Sequence, residues 1–251
     1  MMKHIYRLFA LTLLINTSTF GQTPNIAVAA NMKPAIEELQ SLYRATPKPE
    51  FKIIYGSSGN FYSQIRNGAP YSLFISADEQ YPLELASSGL TQGYGKTYAI
   101  GKLALITNKN FPYKPSFTAS ELKKIIGEAN KIAIAKPELA PYGKASIQFL
   151  SGIGLLDDAK DKFVFGESIS SATVYVSTGA ANVGFTALSL AASPEVSRTT
   201  NYIAIPDSFY EPIKQRMVLL KNAPPVVVDF YDFLQTPKAK NILKSHGYTV
   251  P

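Results

Sequence analysis

The sequence predicts an α/β protein, and three observations carry that prediction. Short apolar runs of strand length alternate with amphipathic segments of helix length. The junctions between them are rich in Ser, Gly, Asn and Pro. The composition, 46% apolar and 17% charged over 251 residues, supports a large buried core and argues against disorder. No repeat or low-complexity tract interrupts the alternation, and the size suits one large domain or two lobes.

At the amino terminus, Lys3 and Arg7 precede an apolar run at 8–15, and a polar stretch ends in Thr19-Phe20-Gly21 before Gln22. Residues 1–21 therefore read as a secretory signal peptide. The run at 8–15 is too short to span a bilayer and no later run reaches the length of a span, so the mature chain is expected to be soluble. With no cysteine anywhere, disulfides, thiolate nucleophiles, Cys-ligated zinc and a lipid-bearing cysteine are excluded. The formal charge is +7, of which Lys3 and Arg7 carry two, leaving +5 without the signal. That balance attracts anions at long range. Nucleic acid is not an expected partner, because the lysines are dispersed and Lys123-Lys124 is the only adjacent pair.

The elements follow in order. The run at 26–29 enters Ala30-Asn31-Met32-Lys33-Pro34, where Asn suits a cap and Pro the first helical turn; Ile36, Leu39, Leu42 and Tyr43 then form one apolar face. The run at 51–55 enters Gly56-Ser57-Ser58-Gly59, followed by a short helix on which Phe61 and Ile65 lie four apart and which Gly68 stops. Ser58 there is either a plain cap or a ligand donor at a helix N-terminus, where free N–H groups and the dipole favour negative charge. Further strands are expected at 73–76, 99–107, 183–186, 202–205 and 216–220. The run at 132–135 leads to Pro141-Tyr142-Gly143 and a helix with Ala145, Phe149 and Leu150 on one side. The run at 163–165 opens through Gly166-Glu167-Ser168-Ile169 onto another short helix, and two helices at 226–234 and 238–244 close the chain. Four polar helix starts with small or hydroxyl residues are a pattern suited to holding an anion.

Catalytic alternatives fail residue by residue. Gly56-Ser57-Ser58-Gly59-Asn60 lacks the last glycine of a nucleophile elbow. His246 is the only histidine after the signal and reads as a helix-end residue, so no histidine pair exists for a metal site, and no Walker loop is present. Glu37-Glu38 and Asp157-Asp158 are sequence neighbours that diverge on a helix and read as solvated surface. The 15 tyrosines, with no tryptophan beside them, read as core and lobe-surface residues and not as a sugar platform.

Ala29-Ala30-Asn31, Gly56-Ser57-Ser58, Asn67-Gly68-Ala69-Pro70, Phe74-Ile75-Ser76-Ala77-Asp78, Pro141-Tyr142-Gly143 and Gly166-Glu167-Ser168-Ile169 occur in this order. On these motifs the chain resembles the periplasmic molybdate-binding proteins of molybdate ABC importers, from about Asn25 to Val250. The resemblance implies a two-lobed type II periplasmic binding protein fold with a ligand cleft between lobes. It implies a first lobe of 22–102 and 206–251, a second of 103–205, and crossings near 99–106 and 216–220. It implies a periplasmic monomer that binds molybdate or tungstate, passes it to the membrane permease of an ABC importer, needs no cofactor, and catalyses nothing. Its oxyanion contacts fall on Ala30, Asn31, Ser58, Tyr142 and Ile169, with no metal beyond the molybdenum of the oxyanion. Such a cage of neutral donors suits a fully deprotonated anion and rejects ligands carrying their own O–H. A smaller oxyanion such as sulfate, or a secreted hydrolase on a similar scaffold, is the competing expectation. Two positions depart from the family pattern. Ala187 stands where many relatives carry a tyrosine, so Tyr142 is expected to supply that hydroxyl from the opposite helix; Ser72 stands where an acidic residue is common, a loss expected to bear on local capping.

Overall fold

The computed structural model describes residues 23–43 and 50–251, so the signal peptide expected at 1–21 lies outside the described residues. Ten strands form two sheets: β1 (Asn25–Ala29), β2 (Lys52–Gly56), β3 (Tyr71–Ile75), β4 (Lys96–Gly101), β5 (Leu103–Asn108), β6 (Ile132–Ala135), β7 (Phe163–Gly166), β8 (Val183–Ala187), β9 (Thr200–Ala204) and β10 (Ile213–Leu219). The first sheet has the order β2-β1-β3-β10-β4 and the second the order β7-β6-β8-β5-β9. Each sheet has three parallel strands at one side, β2-β1-β3 and β7-β6-β8, and antiparallel strands at the other.

The reason for the strand assignments is burial on both faces. Ile26, Val28, Ile132 and Ile134 are wholly buried, as are the intervening Ala27 and Ala133, so central strands read as unbroken apolar runs. Helices cover the sheets. Ile36 and Leu39 of the helix Lys33–Leu42 join Phe230, Leu243 and Met217 in the core of the first lobe. Leu122, Phe149, Phe185 and Leu105 belong to that of the second. The helix Ser58–Arg66 stops before Gly68, whose φ of 85° no side chain adopts readily. The carboxy-terminal helices, Pro225–Phe233 and Pro237–Ser245, close the first lobe, and His246 caps the second of them with its Nε2 2.8 Å from Glu38 Oε2.

Two expectations about the strands need correction. The apolar run at 99–107 is two strands, because Lys102 separates β4 in the first sheet from β5 in the second. The return crossing expected at 216–220 lies earlier. β10 pairs with β3 and β4 along its whole length, so the chain passes back between Ala204 and Ile213, through a segment with a 3-10 turn at Asp207–Phe209 flanked by Pro206 and Pro212. Among the described residues no helix is long and apolar enough to cross a membrane.

Candidate functional site

In open α/β sheets ligands lie beyond the carboxyl ends of the strands, where neighbouring connections diverge. Here those ends belong to β1 and β2 in the first sheet and to β6 and β7 in the second, and each is followed by one of the expected helix starts.

β1 runs into a 3-10 turn, Ala30–Met32, before the helix proper. Asn31 does not cap that helix, contrary to expectation, because the intervening turn carries its side chain into the core. There it is fully buried, and its Nδ2 donates to Gln215 Oε1 (3.0 Å) and to Tyr248 Oη (2.9 Å). Its Oδ1 has no partner among the described residues. With the amide protons engaged, what Ala30 and Asn31 have to offer is the main-chain N–H groups of the first turn.

After β2 the cap is Ser57, whose Oγ accepts from the Asn60 N–H at 3.4 Å from an extended backbone. Ser58 is the first helical residue, and its Oγ accepts from the Ala77 N–H at 2.9 Å. Ser58 is therefore not the cap, because the helix begins one residue earlier than a Ser58 cap requires. Since the Ser58 oxygen is held as an acceptor, its own proton is available, and the residue is only 1% exposed. Replacing Ser58 by Ala therefore removes the expected anion donor and the acceptor of the Ala77 N–H, but leaves the Ser57 cap in place. Affinity should fall by roughly 1.5–3 kcal/mol for Ser58→Ala, whereas Ser57→Ala should cost about 1 kcal/mol of stability. Calorimetry and melting on both variants separate the two roles, and equal affinity losses at both positions would refute the assignment.

β6 leads through 136–140 to the helix Pro141–Gly152, with Tyr142 in its first turn and 1% exposed. The Tyr142 Oη accepts from Gln215 Nε2 at 3.0 Å, and no acceptor for its proton is found among the described residues. Burial pushes this phenol far above its usual pKa range, against the opposing hydrogen bond from Gln215, so it stays protonated at any working pH. β7 ends at Gly166, and Ser168 caps the helix Ile169–Ser177 by accepting from the Ser171 N–H at 3.2 Å. Ile169 is its first residue and offers its main-chain N–H alone.

These starts meet. Ala30, Tyr142 and Ile169 share one buried cluster with Ala77, the partner of Ser58, while Gln215 ties Asn31 to Tyr142. The two lobes touch through the Gly59 N–H on the Leu139 carbonyl (2.9 Å), the Ser170 hydroxyl on the Ala30 carbonyl (3.2 Å) and the Ser189 hydroxyl on the Asn31 carbonyl (2.8 Å). A Cβ added to Gly59 would stand 2.9 Å from Leu139 Cα, so this glycine permits the approach. No Lys or Arg bonds to any of these side chains among the described residues. Beside them a cleft of about 480 Å³ opens to solvent, bordered by Ala77, Asp78, Ala140, Pro141, Lys144 and Lys214.

Ala187 is buried at the end of β8, so no phenol enters from that strand. Ser72 lies inside β3, and its carbonyl accepts from the Leu220 N–H at 2.9 Å, so the acidic residue it replaces bears on a strand and not on a cap. Sequence reasoning missed Gln215, Tyr98, Tyr248 and Ser189. Gln215 did carry a signal: Ile213 and Met217 flank it at the spacing that points side chains to one face, so a polar residue there faces the core.

Asp78, at the cleft edge, has its pKa raised to about 6 chiefly by burial. Its Oδ1 accepts from the Tyr81 N–H at 2.8 Å, while its Oδ2 is buried and unpartnered among the described residues. A carboxyl whose folded pKa is raised favours the protonated form, so stability is lost as pH rises from about 4 through about 6. The loss is about 3 kcal/mol at most. Asp78→Asn keeps the acceptor for Tyr81 and should raise the melting temperature by a few degrees at pH 8 but not near pH 4. Identical melting of variant and wild type at pH 8 would remove the strain assigned to this carboxylate.

Two α/β lobes with neutral donors at converging helix starts define a solute-binding protein of the two-lobed periplasmic type. Residues 24–249 match the family described as bacterial extracellular solute-binding protein. The molybdate-binding protein ModA of Azotobacter vinelandii is 36% identical over 227 residues, covering 89% of this chain and 88% of that one. ModA of Rhodobacter capsulatus is 36% identical over 225 residues, covering 88% and 86%. The solved Azotobacter vinelandii periplasmic molybdate-binding protein superposes with a TM-score of 0.80 at 32% identity, over 91% of this chain and 99% of that one. The chain belongs to the ModA-type molybdate-binding proteins within the bacterial extracellular solute-binding family.

Proposed function

We propose that this protein captures molybdate, and tungstate with it, in the periplasm and delivers it as a monomer to the membrane permease of an ABC importer. It catalyses no reaction. The observation that carries the reading is the pair of buried hydroxyls, Ser58 from one lobe and Tyr142 from the other, each held as an acceptor by the protein and so left with a proton to give. Together with the N–H groups of Ala30, Asn31 and Ile169 they supply donors and no cation, which suits a divalent tetrahedral oxyanion that only accepts. The names of the two 36% identical relatives support molybdate in particular.

Titrating the purified protein with molybdate, tungstate, sulfate and phosphate by calorimetry tests the proposal. Molybdate and tungstate should bind tightly and sulfate poorly, because its shorter bonds leave donors on both lobes out of reach at once. Tight sulfate binding with weak molybdate binding would replace the reading by that of a smaller-oxyanion carrier. Tyr142→Phe keeps the ring and deletes the donor, so molybdate affinity should fall about tenfold to a hundredfold with little change in the stability of the free protein. Full-strength binding by this variant would take Tyr142 out of the site.

A further inference from the structure

Gln215 lies near the start of β10, the first strand after the chain returns from the second sheet, and it is wholly buried. Its Oε1 accepts from Asn31 Nδ2 (3.0 Å) and from the Tyr98 hydroxyl (2.9 Å), and its Nε2 donates to the Tyr142 hydroxyl (3.0 Å). One amide therefore touches a candidate donor residue from each lobe. Space for it is reserved: Gly101 of β4 lies opposite Ile213, and a Cβ there would run into both the Tyr142 Oη and the Gln215 Nε2. A buried glutamine in an otherwise apolar face is costly to keep unless its bonds are all made, and here both ends are in use.

We propose that Gln215 is a positioning residue for the anion, setting the direction of the Tyr142 proton. A hydroxyl has one proton to give. Because Gln215 Nε2 occupies the acceptor side of Tyr142, that proton points away from the amide and serves the ligand. At the other end the buried Tyr98 hydroxyl stands 2.9 Å from both Gln215 Oε1 and the Ser76 carbonyl, and with one proton it donates to only one of them at a time. The inference rests on the anion-site reading above. The competing arrangement has both amides turned end for end: Asn31 Nδ2 would then face the ligand, and Tyr142 would donate to Gln215.

Gln215→Glu replaces the one N–H donor by an acceptor of the same length. At pH 8 the Tyr142 proton should turn to the new carboxylate, and molybdate affinity should fall at least a hundredfold. Affinity should recover as pH falls towards 5.5, where a protonated carboxyl again donates to Tyr142; a purely structural role would not produce that recovery. In the Gln215→Glu background at pH 8, Tyr142→Phe should cause no further loss, against the tenfold to hundredfold loss it causes alone. Gln215→Met, an apolar side chain of similar length, serves if the glutamate variant does not fold. It should bind about tenfold more weakly and shrink the effect of Tyr142→Phe to threefold or less. Wild-type affinity in the glutamate or methionine variant, or unreduced loss from Tyr142→Phe in either background, overturns the role of Gln215 alone. Unchanged affinity in Tyr142→Phe itself supports the turned amides and overturns it too. A wild type that does not bind molybdate overturns the anion-site reading and this inference with it.

Discussion

Molybdate at a thousandfold excess over its dissociation constant should stabilise this protein by about 4 kcal/mol. For a chain with about 230 residues after its expected signal, that is a rise in melting temperature on the order of 10 °C. The stabilisation is expected because the proposed donors lie on two lobes. Ser58 follows β2 in the first sheet while Tyr142 and Ile169 follow β6 and β7 in the second, so one ligand can satisfy them together only in the closed arrangement seen here. Closure brings further bonds of its own, from Gly59 to Leu139, from Ser170 to Ala30 and from the Tyr81 hydroxyl to the Glu138 carbonyl at 3.0 Å. Small-angle scattering should show the free protein to be more extended than the bound one. Molybdate that leaves both melting temperature and scattering radius unchanged would contradict capture between lobes.

Gly101→Ala should damage binding and stability together, because the added methyl group is aimed at the proposed site. The added carbon falls on the Tyr142 hydroxyl and the Gln215 amide, both on buried residues that cannot retreat into solvent. Overpacking of this kind costs roughly 1–3 kcal/mol of stability, and here the displaced atoms belong to the proposed site. Molybdate affinity should therefore fall about a hundredfold, as though the Tyr142 donor had been lost outright. Gly127→Ala is the control: it lies exposed in the helix Ala119–Glu128 with nothing near the new carbon, and should raise stability slightly. Equal behaviour of the two variants would show that the space around Gly101 is softer than its neighbours suggest.

Much of this architecture was legible in the sequence because local chemistry determines it. The four strand-to-helix junctions at 29–34, 55–59, 135–143 and 165–169 declare themselves through an apolar run followed by Pro, Ser or Gly, and all four lie where a strand gives way to a helix or turn. What stayed hidden is long-range. Nothing local distinguishes the run at 99–107 as one strand or two, since the break at Lys102 exists only because the halves pair with β10 and β8 in different sheets. Ser57 and Ser58 are equivalent in the sequence, and the contact with the Ala77 N–H, 19 residues away, decides which of them leaves the cap free. The roles of Gln215 and Tyr248 depend on partners 184 and 217 residues away.

The most direct test of a neutral, two-lobed oxyanion cage is the position of molybdenum itself. Anomalous scattering from crystals grown with molybdate should show one strong peak within hydrogen-bond reach of the Ser58 and Tyr142 hydroxyls and of the Asn31 and Ile169 N–H groups, with no Lys or Arg touching its oxygens. A peak at the cleft mouth against Lys144 and Lys214, with the space between Ser58 and Tyr142 empty, would contradict the account.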